Sequence, residues 1–370
     1  MDVFDLIRLA NTLQASDVHL LADSPPLIRV WGALEAASGS LPLTASDIEI
    51  AFDQLITPEE RQKFESELEL DFGFTMPEVG RLRANASRQR GAITLAIRLL
   101  PPHIPSIEKL ELPQICKDLV AKPRGLAIVT GPTGSGKSTT LAAMIDHLNH
   151  TESKRIVTIE DPIEYIHSSL KCAISQRQLG SDTLSFGHAL KHVLRQNPDV
   201  IMVGEMRDLD TAMAVLTIAE TGHLVLSTSH APSAPQALER IIDLFPPHER
   251  RMAQTRLASL LVGVLCQTLV PRADSPGRIA AVEVMLSNAA IRNLIRDEKI
   301  YQLPNVMRTS RDEGMIIMDE ALVELFRDKK ITKATVFNYC QDSAEIKRML
   351  TSGSSGKRRK QTEGVPPQPV

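Results

Sequence analysis

The segment Gly131-Pro132-Thr133-Gly134-Ser135-Gly136-Lys137-Ser138-Thr139 constrains this chain more than any other stretch. It matches the pattern G-x-x-x-x-G-K-[ST] without exception, and the chemistry explains the spacing. Three glycines let the backbone curl so that its N–H groups point into one concavity. Lys137 is placed to reach the β- and γ-phosphates of a nucleotide, and Ser138 offers a hydroxyl to Mg²⁺. The helix that follows presents its positive end to the same phosphates. A chance glycine-rich turn would lack the context seen here, where the apolar run Leu126–Thr130 precedes the loop and a helical Lys137–Asn149 follows it.

A cradle of this kind belongs on a parallel sheet, and the rest of the second half agrees. Apolar runs at Arg155–Ile159, Val200–Val203 and Leu224–Ser227 alternate with helical segments at Phe186–Arg195 and Leu209–Glu220. Short apolar strands separated by helices predict an α/β unit with a mainly parallel sheet covered on both faces. From about residue 286 onward the pattern is mostly helical, with Asn288–Asp297, Ile317–Lys329 and Lys333–Tyr339 as candidates.

Residues 1–100 read differently. An amphipathic helix over residues 3–14 is followed by strands at Val18–Leu21 and Leu27–Val30 and a helix at Asp47–Ile56. Thr57-Pro58-Glu59-Glu60 starts another helix, with threonine as cap and proline at the first position. Leu70–Phe74, Arg81–Ala86 and Ala92–Leu99 then read as strands, which makes a small α+β domain. Proline-rich residues 101–113 are the expected linker, 114–350 the cradle-bearing domain, and 351–370 a disordered tail carrying Lys357-Arg358-Arg359-Lys360.

Composition narrows the partners. The formal net charge is -3; the tail contributes +3 and leaves -6 on residues 1–350, so a generic polyanion binder is disfavoured. Aromatic residues are 4% of the chain, too few for a base-stacking platform, and no nucleic acid is expected. Cys116, Cys172, Cys266 and Cys340 form no Cys-x-x-Cys and read as reduced, mostly buried thiols of a cytoplasmic protein. The longest apolar stretch, Leu257–Val270, is interrupted by Ser259, Gln267 and Thr268 and falls short of the ~20 residues a membrane span needs. A basic tail is more often a solvated end than a binding element; attraction to anionic lipid is its functional alternative.

Hydrolysis needs more than a cradle: groups must hold metal and position water. Val200-Ile201-Met202-Val203-Gly204-Glu205 is a buried strand ending in an acid at the end where such sheets place ligands. Glu205 is the leading candidate to activate water. Thr158-Ile159-Glu160-Asp161-Pro162-Ile163-Glu164 ends a second strand with three acids, and Glu160, Asp161 and Glu164 can support Mg²⁺ directly or through water. His223 and His230 flank a third strand. Either is a structural hydrogen-bond partner or a phosphate contact.

Together these segments resemble the secretion ATPases that power type IV pili and type II secretion. Gly131–Thr139 is followed by Thr158–Glu164 as that family's Asp box and by Gly204-Glu205-Met206-Arg207-Asp208 as its atypical Walker B. Ala219-Glu220-Thr221-Gly222-His223, running on to His230, is similar to its His box. The likeness spans residues 1–350. Ser16-Asp17-Val18-His19-Leu20, Arg81-Leu82-Arg83-Ala84-Asn85, Gly314-Met315-Ile316 and Ala290-Ile291-Arg292-Asn293-Leu294-Ile295-Arg296 resemble the pilus-retraction subgroup. Assembly ATPases usually carry a long extra N-terminal domain and a four-cysteine zinc motif, which this chain does not show.

The resemblance implies a RecA-like P-loop domain preceded by a PAS-like domain, with ATP and Mg²⁺ bound between them in a ring of six copies. It implies that Arg81, Arg83 and Arg98 stabilise charge on the γ-phosphate, although each alone could be a structural or interface arginine. It further implies a cytoplasmic motor, peripheral at the inner membrane, gripping a pilus platform protein, with a paralogous retraction ATPase as a further partner. Other enzyme readings are an accessory retraction ATPase or an assembly or type II secretion motor. Readings from other classes are a nonhydrolytic nucleotide-switched scaffold and a nucleic-acid translocase.

Overall fold

The computed structural model describes residues 2–30, 32–100 and 103–352, so Pro101 and Pro102 of the expected linker and residues 353–370 of the expected tail lie outside it. Two compact units are present, one built on residues 1–105 with Asp161–Leu170 and Gln176–Gln178, the other on the remainder.

In the first unit, α1 (Val3–Thr12) leads into β1 (Ala15–Leu20), β2 (Leu27–Val30) and β3 (Ala33–Ala36). Helices α2 (Ala45–Asp53) and α3 (Pro58–Glu67) follow, then β4 (Glu69–Met76), β5 (Gly80–Gln89) and β6 (Ala92–Leu99). The strands form one sheet in the order β3-β2-β1-β6-β5-β4. Both internal helices start where the residues dictate. Thr44 and Thr57 each accept a backbone N–H of the first turn, while Asp47 and Glu60 reach back to the cap. Each such box is worth about 1 kcal/mol.

Strand alternation gives this sheet two unlike faces. Leu82, Ala84, Ala86, Ile93, Leu95 and Ile97 are buried in a core with Ile7, Ile48 and Phe52. Between them Arg81, Arg83 and Arg98 stand on the opposite face. Register pairs Arg83 with Arg98, Arg98 with Asp17, and Asp17 with Arg29, which makes one lateral row across four strands. Burial would raise the Asp17 carboxyl, but its hydrogen bonds to Arg98 and Ser16 override this and hold it below its ordinary value.

The second unit contains α4 (Ile115–Val120), β7 (Gly125–Thr130), α5 (Lys137–Thr151), β8 (Arg155–Glu160) and the first half of β9 (Ala173–Gln178), whose last three residues group with the first unit. Then come α6 (Phe186–Val193), β10 (Val200–Val203), α7 (Leu209–Glu220), β11 (Leu224–Thr228), α8 (Ala234–Asp243) and α9 (Arg250–Leu260). A hairpin of β12 (Leu261–Pro271) and β13 (Arg278–Leu286) precedes α10 (Ala289–Arg296), α11 (Leu303–Thr309), α12 (Met318–Arg327), α13 (Lys333–Tyr339) and α14 (Ser343–Ser352). The sheet order is β13-β12-β7-β11-β10-β8-β9. Strands β12, β7, β11, β10 and β8 run parallel, and β13 is antiparallel to its neighbour β12. Every residue of β7, β10 and β11 is buried. Leu126 and Ile128 enter one core and Ala127 and Val129 the other, so helices cover both faces.

Several expectations change. Leu257–Val270, read as one apolar stretch, is the end of α9 followed by most of β12. A run buried on both sides carries no period to separate helix from strand. Within the expected linker 101–113, Ile107 and Leu112 are buried in the second unit's core, which begins at Ser106. Thr351 and Ser352, assigned to the tail, complete α14. All four cysteines are free, and burial pushes the Cys116 thiol up to about 12. No helix among the described residues is long and apolar enough to cross a membrane.

His167, in the segment grouped with the first unit, has a buried Nδ1 without a hydrogen-bond partner. Burial pushes its imidazole down from 6.5 to about 4. The unfolded chain therefore takes up a proton before the folded one does, and stability falls as pH falls through that window. Chemical denaturation at pH 7.5 and at pH 5 is expected to differ by about 2 kcal/mol more in the wild type than in His167→Phe. Equal pH dependence in the two proteins would contradict this account.

Candidate active site

Strand β7 ends at Thr130, and the loop of residues 131–136 carries the chain into α5, with Gly136 as its N-cap. Gly131 has φ +143°, and a Cβ there would stand 2.3 Å from the Gln267 backbone oxygen and 2.7 Å from Ser135 Oγ. Only glycine fits between this turn and β12. Lys137 is buried, and its Nζ donates to the carbonyls of Gly131 at 2.9 Å and Pro132 at 3.0 Å. Its charge is thereby held over the loop that it opens.

Ser135 Oγ is buried without a hydrogen-bond partner, which is expensive unless something arrives to satisfy it. An anion ringed by the loop N–H groups fits that requirement, so the residues present suit a nucleotide phosphate. Ser138 and Thr133 are exposed. Among the described residues no three His, Cys, Asp or Glu side chains are grouped to hold a metal ion. A phosphate-borne Mg²⁺ needs only one or two protein oxygens, which Ser138 and Glu160 or Glu205 can supply.

The neighbouring strands bring their carboxyl ends to the same edge of the sheet. At the end of β8, buried Glu160 accepts from Thr158 Oγ1 at 2.6 Å. At the end of β10, Gly204 N donates to Ile159 O at 2.8 Å, and Thr228 Oγ1 donates to Gly204 O. Glu205 follows, 8% exposed, ion-paired to Arg207 through Oε1, with His230 Nε2 3.2 Å from Oε2. His230 comes from the far end of β11. Ser229 N donates to Val129 O, and Thr130 Oγ1 both donates to Ala231 O at 2.8 Å and accepts from Ala231 N at 2.9 Å. Burial and the Lys137 cation lower the His230 pKa against the opposing pull of Glu205, so the imidazole is neutral at pH 7. A carboxylate, a neutral imidazole and a buried ammonium thus meet at the mouth of a phosphate cradle.

Residues 94–293 match the family described as Type II/IV secretion system protein. Type IV pilus retractation ATPase PilT of Pseudomonas aeruginosa is 43% identical over 322 residues, 87% of this chain and 93% of that protein. Twitching motility protein of Neisseria gonorrhoeae is 40% identical over 345 residues, 93% of this chain and 92% of that one. A crystal structure of the pilus retraction motor PilT with bound ADP matches 94% of this chain and 100% of its own, with TM-score 0.87 and 40% identity. The chain belongs to the type II/IV secretion family.

It is an ATPase of that family, and the second unit is its RecA-like domain. For this secretion ATPase some sequence expectations divide. Lys137, Ser138, Glu160, Glu205 and His230 lie along one edge of one sheet. Asp161 and Glu164 do not join them within that unit, because the chain leaves β8 after Glu160 and Asp161–Leu170 groups with the first unit. His223 does not lie on that edge either. It precedes β11, at the amino end of the parallel strands, about 17 Å of strand away from His230. There its Nδ1 lies 3.0 Å from Thr221 Oγ1 and 3.3 Å from Ile218 O, at the end of α7. Arg81, Arg83 and Arg98 lie in the first unit. Arg98 Nε donates to Asp17 at 2.9 Å, and Arg81 reaches Thr75 Oγ1 at 3.4 Å and Gln178 Oε1 at 3.5 Å. Sequence reading overlooked Thr130 and Thr228, whose hydroxyls tie adjacent strand ends. Their one sequence signal is a hydroxyl at the last position of an otherwise apolar run.

Proposed function

We propose that this secretion ATPase hydrolyses ATP to power retraction of a type IV pilus, as a ring of six copies acting on an inner-membrane platform protein from the cytoplasmic side. The observation that carries the reading is Glu205, buried at the end of β10 with His230 Nε2 3.2 Å away, on the sheet edge that also carries Lys137. Lys137 and the loop N–H groups hold the β- and γ-phosphates, and their charge favours electron density leaving toward the β-γ bridge. Glu205 accepts a proton from water as the new O–P bond forms and the bridging bond breaks, releasing ADP. His230, neutral, orients Glu205. Mg²⁺, held by Ser138 with Glu160 or Glu205 directly or through water, neutralises phosphate charge when bound. Arg81, Arg83 and Arg98 are proposed to stabilise the γ-phosphate charge that develops, with loss of turnover in Arg83→Ala.

The deciding experiment is the pilus phenotype of a deletion strain. Abundant surface pili without retraction, restored by the wild type and not by Lys137→Ala, is the expected result. Bald cells would instead indicate an assembly motor, and normal retraction an accessory role. Stimulation of turnover by DNA would favour a translocase.

A further inference from the structure

A buried acid outside the cradle holds the starts of two helices by two backbone hydrogen bonds. Glu283 lies in the middle of β13, 4% exposed, within the apolar strand Arg278–Leu286. Its Oε1 accepts from Ala234 N at 2.7 Å and its Oε2 from Met318 N at 3.1 Å. These are the first N–H groups of α8 and α12, which no intrahelical carbonyl can satisfy. Ile317, the N-cap of α12, has no side chain able to accept. Ser233, the N-cap of α8, accepts from Gln236 N and leaves Ala234 N to Glu283. One carboxylate therefore caps two helices, and its charge suits both positive ends.

Burying a carboxylate is costly, and two ordinary caps would avoid the cost. What the arrangement adds is a connection. Between the end of β11 and the start of α8 stand Ser229, His230, Ala231, Pro232 and Ser233. Ser229 is pinned to Val129, Ala231 to Thr130 and Ala234 to Glu283, so the His230 backbone is held from both sides. On the other oxygen, Met318 lies two residues after Ile316, whose backbone exchanges two hydrogen bonds with Val284 beside Glu283.

We propose that Glu283 is a positioning residue for hydrolysis. By holding Ala234 it sets His230 against Glu205, and by holding Met318 it ties that geometry to the C-terminal helices. The inference rests on the roles given above to Glu205 and His230. Glu283→Gln keeps size and one acceptor but turns an amide toward a backbone N–H. It is expected to lower kcat about tenfold while KM for ATP changes less than about twofold, the loss of one charge-assisted hydrogen bond. In a His230→Ala background the same change is expected to cost nothing further. The ¹⁵N resonances of His230 are expected to shift in nucleotide-free Glu283→Gln.

Asp319→Asn is the matched control, since Asp319 is also 4% exposed and accepts two backbone N–H groups, from Gln341 at 2.7 Å and Asp342 at 2.9 Å. It is expected to lose stability and keep kcat. Ser233→Ala, a half-buried cap on the same helix start, is expected to lower kcat about twofold and serves if Glu283→Gln is poorly folded. A wild-type kcat in both Glu283→Gln and Ser233→Ala, equal slowing by Asp319→Asn, or full additivity with His230→Ala would overturn the proposal. A wild-type rate for His230→Ala would overturn the catalytic reading of His230. An unshifted His230 signal in Glu283→Gln would overturn only the positioning role.

Discussion

Glu205→Gln is expected to bind ATP as tightly as the wild type and to hydrolyse it at least about a hundredfold more slowly. The substitution preserves volume at a site only 8% exposed, so the end of β10 has no reason to move. The phosphate-holding groups, Lys137 and the loop N–H groups, come from a different strand and are untouched. What disappears is a carboxylate able to take a proton from water. His230 does not replace it, because its own side chain stands against the Glu205 position, 3.2 Å from Oε2. Release of Arg207 from its ion pair adds little, since the Arg207 side chain is 66% exposed and such pairs are worth under about 1 kcal/mol. Phosphate release measured beside nucleotide titration separates the two effects. Hydrolysis at the wild-type rate would remove Glu205 from the mechanism.

Gly131→Ala is expected to lose both nucleotide binding and about 3 kcal/mol of stability. A φ of +143° is strained for any L side chain, and the added Cβ would stand 2.3 Å from the Gln267 backbone oxygen. A backbone atom of a central strand cannot rotate away as a flexible side chain can, so either the loop or β12 must shift. Either movement displaces the carbonyls on which Lys137 Nζ rests, at 2.9 and 3.0 Å. Lys137→Ala makes the useful contrast, because it deletes the phosphate contact without a clash. It should lose binding while its denaturation midpoint stays near that of the wild type. Normal ADP affinity in Gly131→Ala would show that the loop does not adopt this conformation.

How much of this was legible without coordinates depends on how far each feature reaches along the chain. The cradle, the caps at Thr44 and Thr57, and α5 depend on residues within a few positions of each other, and local sequence specifies them. Glu205 was legible because an acid closing a buried apolar strand has few other uses. The β12–β13 hairpin was not, since residues buried on both faces show no alternation. His223 and His230 look equivalent in sequence, flanking one strand. Strand direction makes them opposites, because only one end of a parallel strand meets the cradle.

Sequence by itself determined that a phosphate-binding loop would sit between a strand and a helix, because the required glycines, lysine and serine are neighbours. It also determined that an acid would close β10. Tertiary structure alone decided which strands adjoin, and so which side chains share a site. It set Glu205 beside His230, and placed Asp161 and Glu164 in the segment that groups with the first unit. It joined Glu283 to helix starts 49 and 35 residues away in the chain. No local rule could have predicted those bonds. Their energy lies in satisfying backbone N–H groups at helix ends, and any buried acceptor brought within reach by the fold would serve.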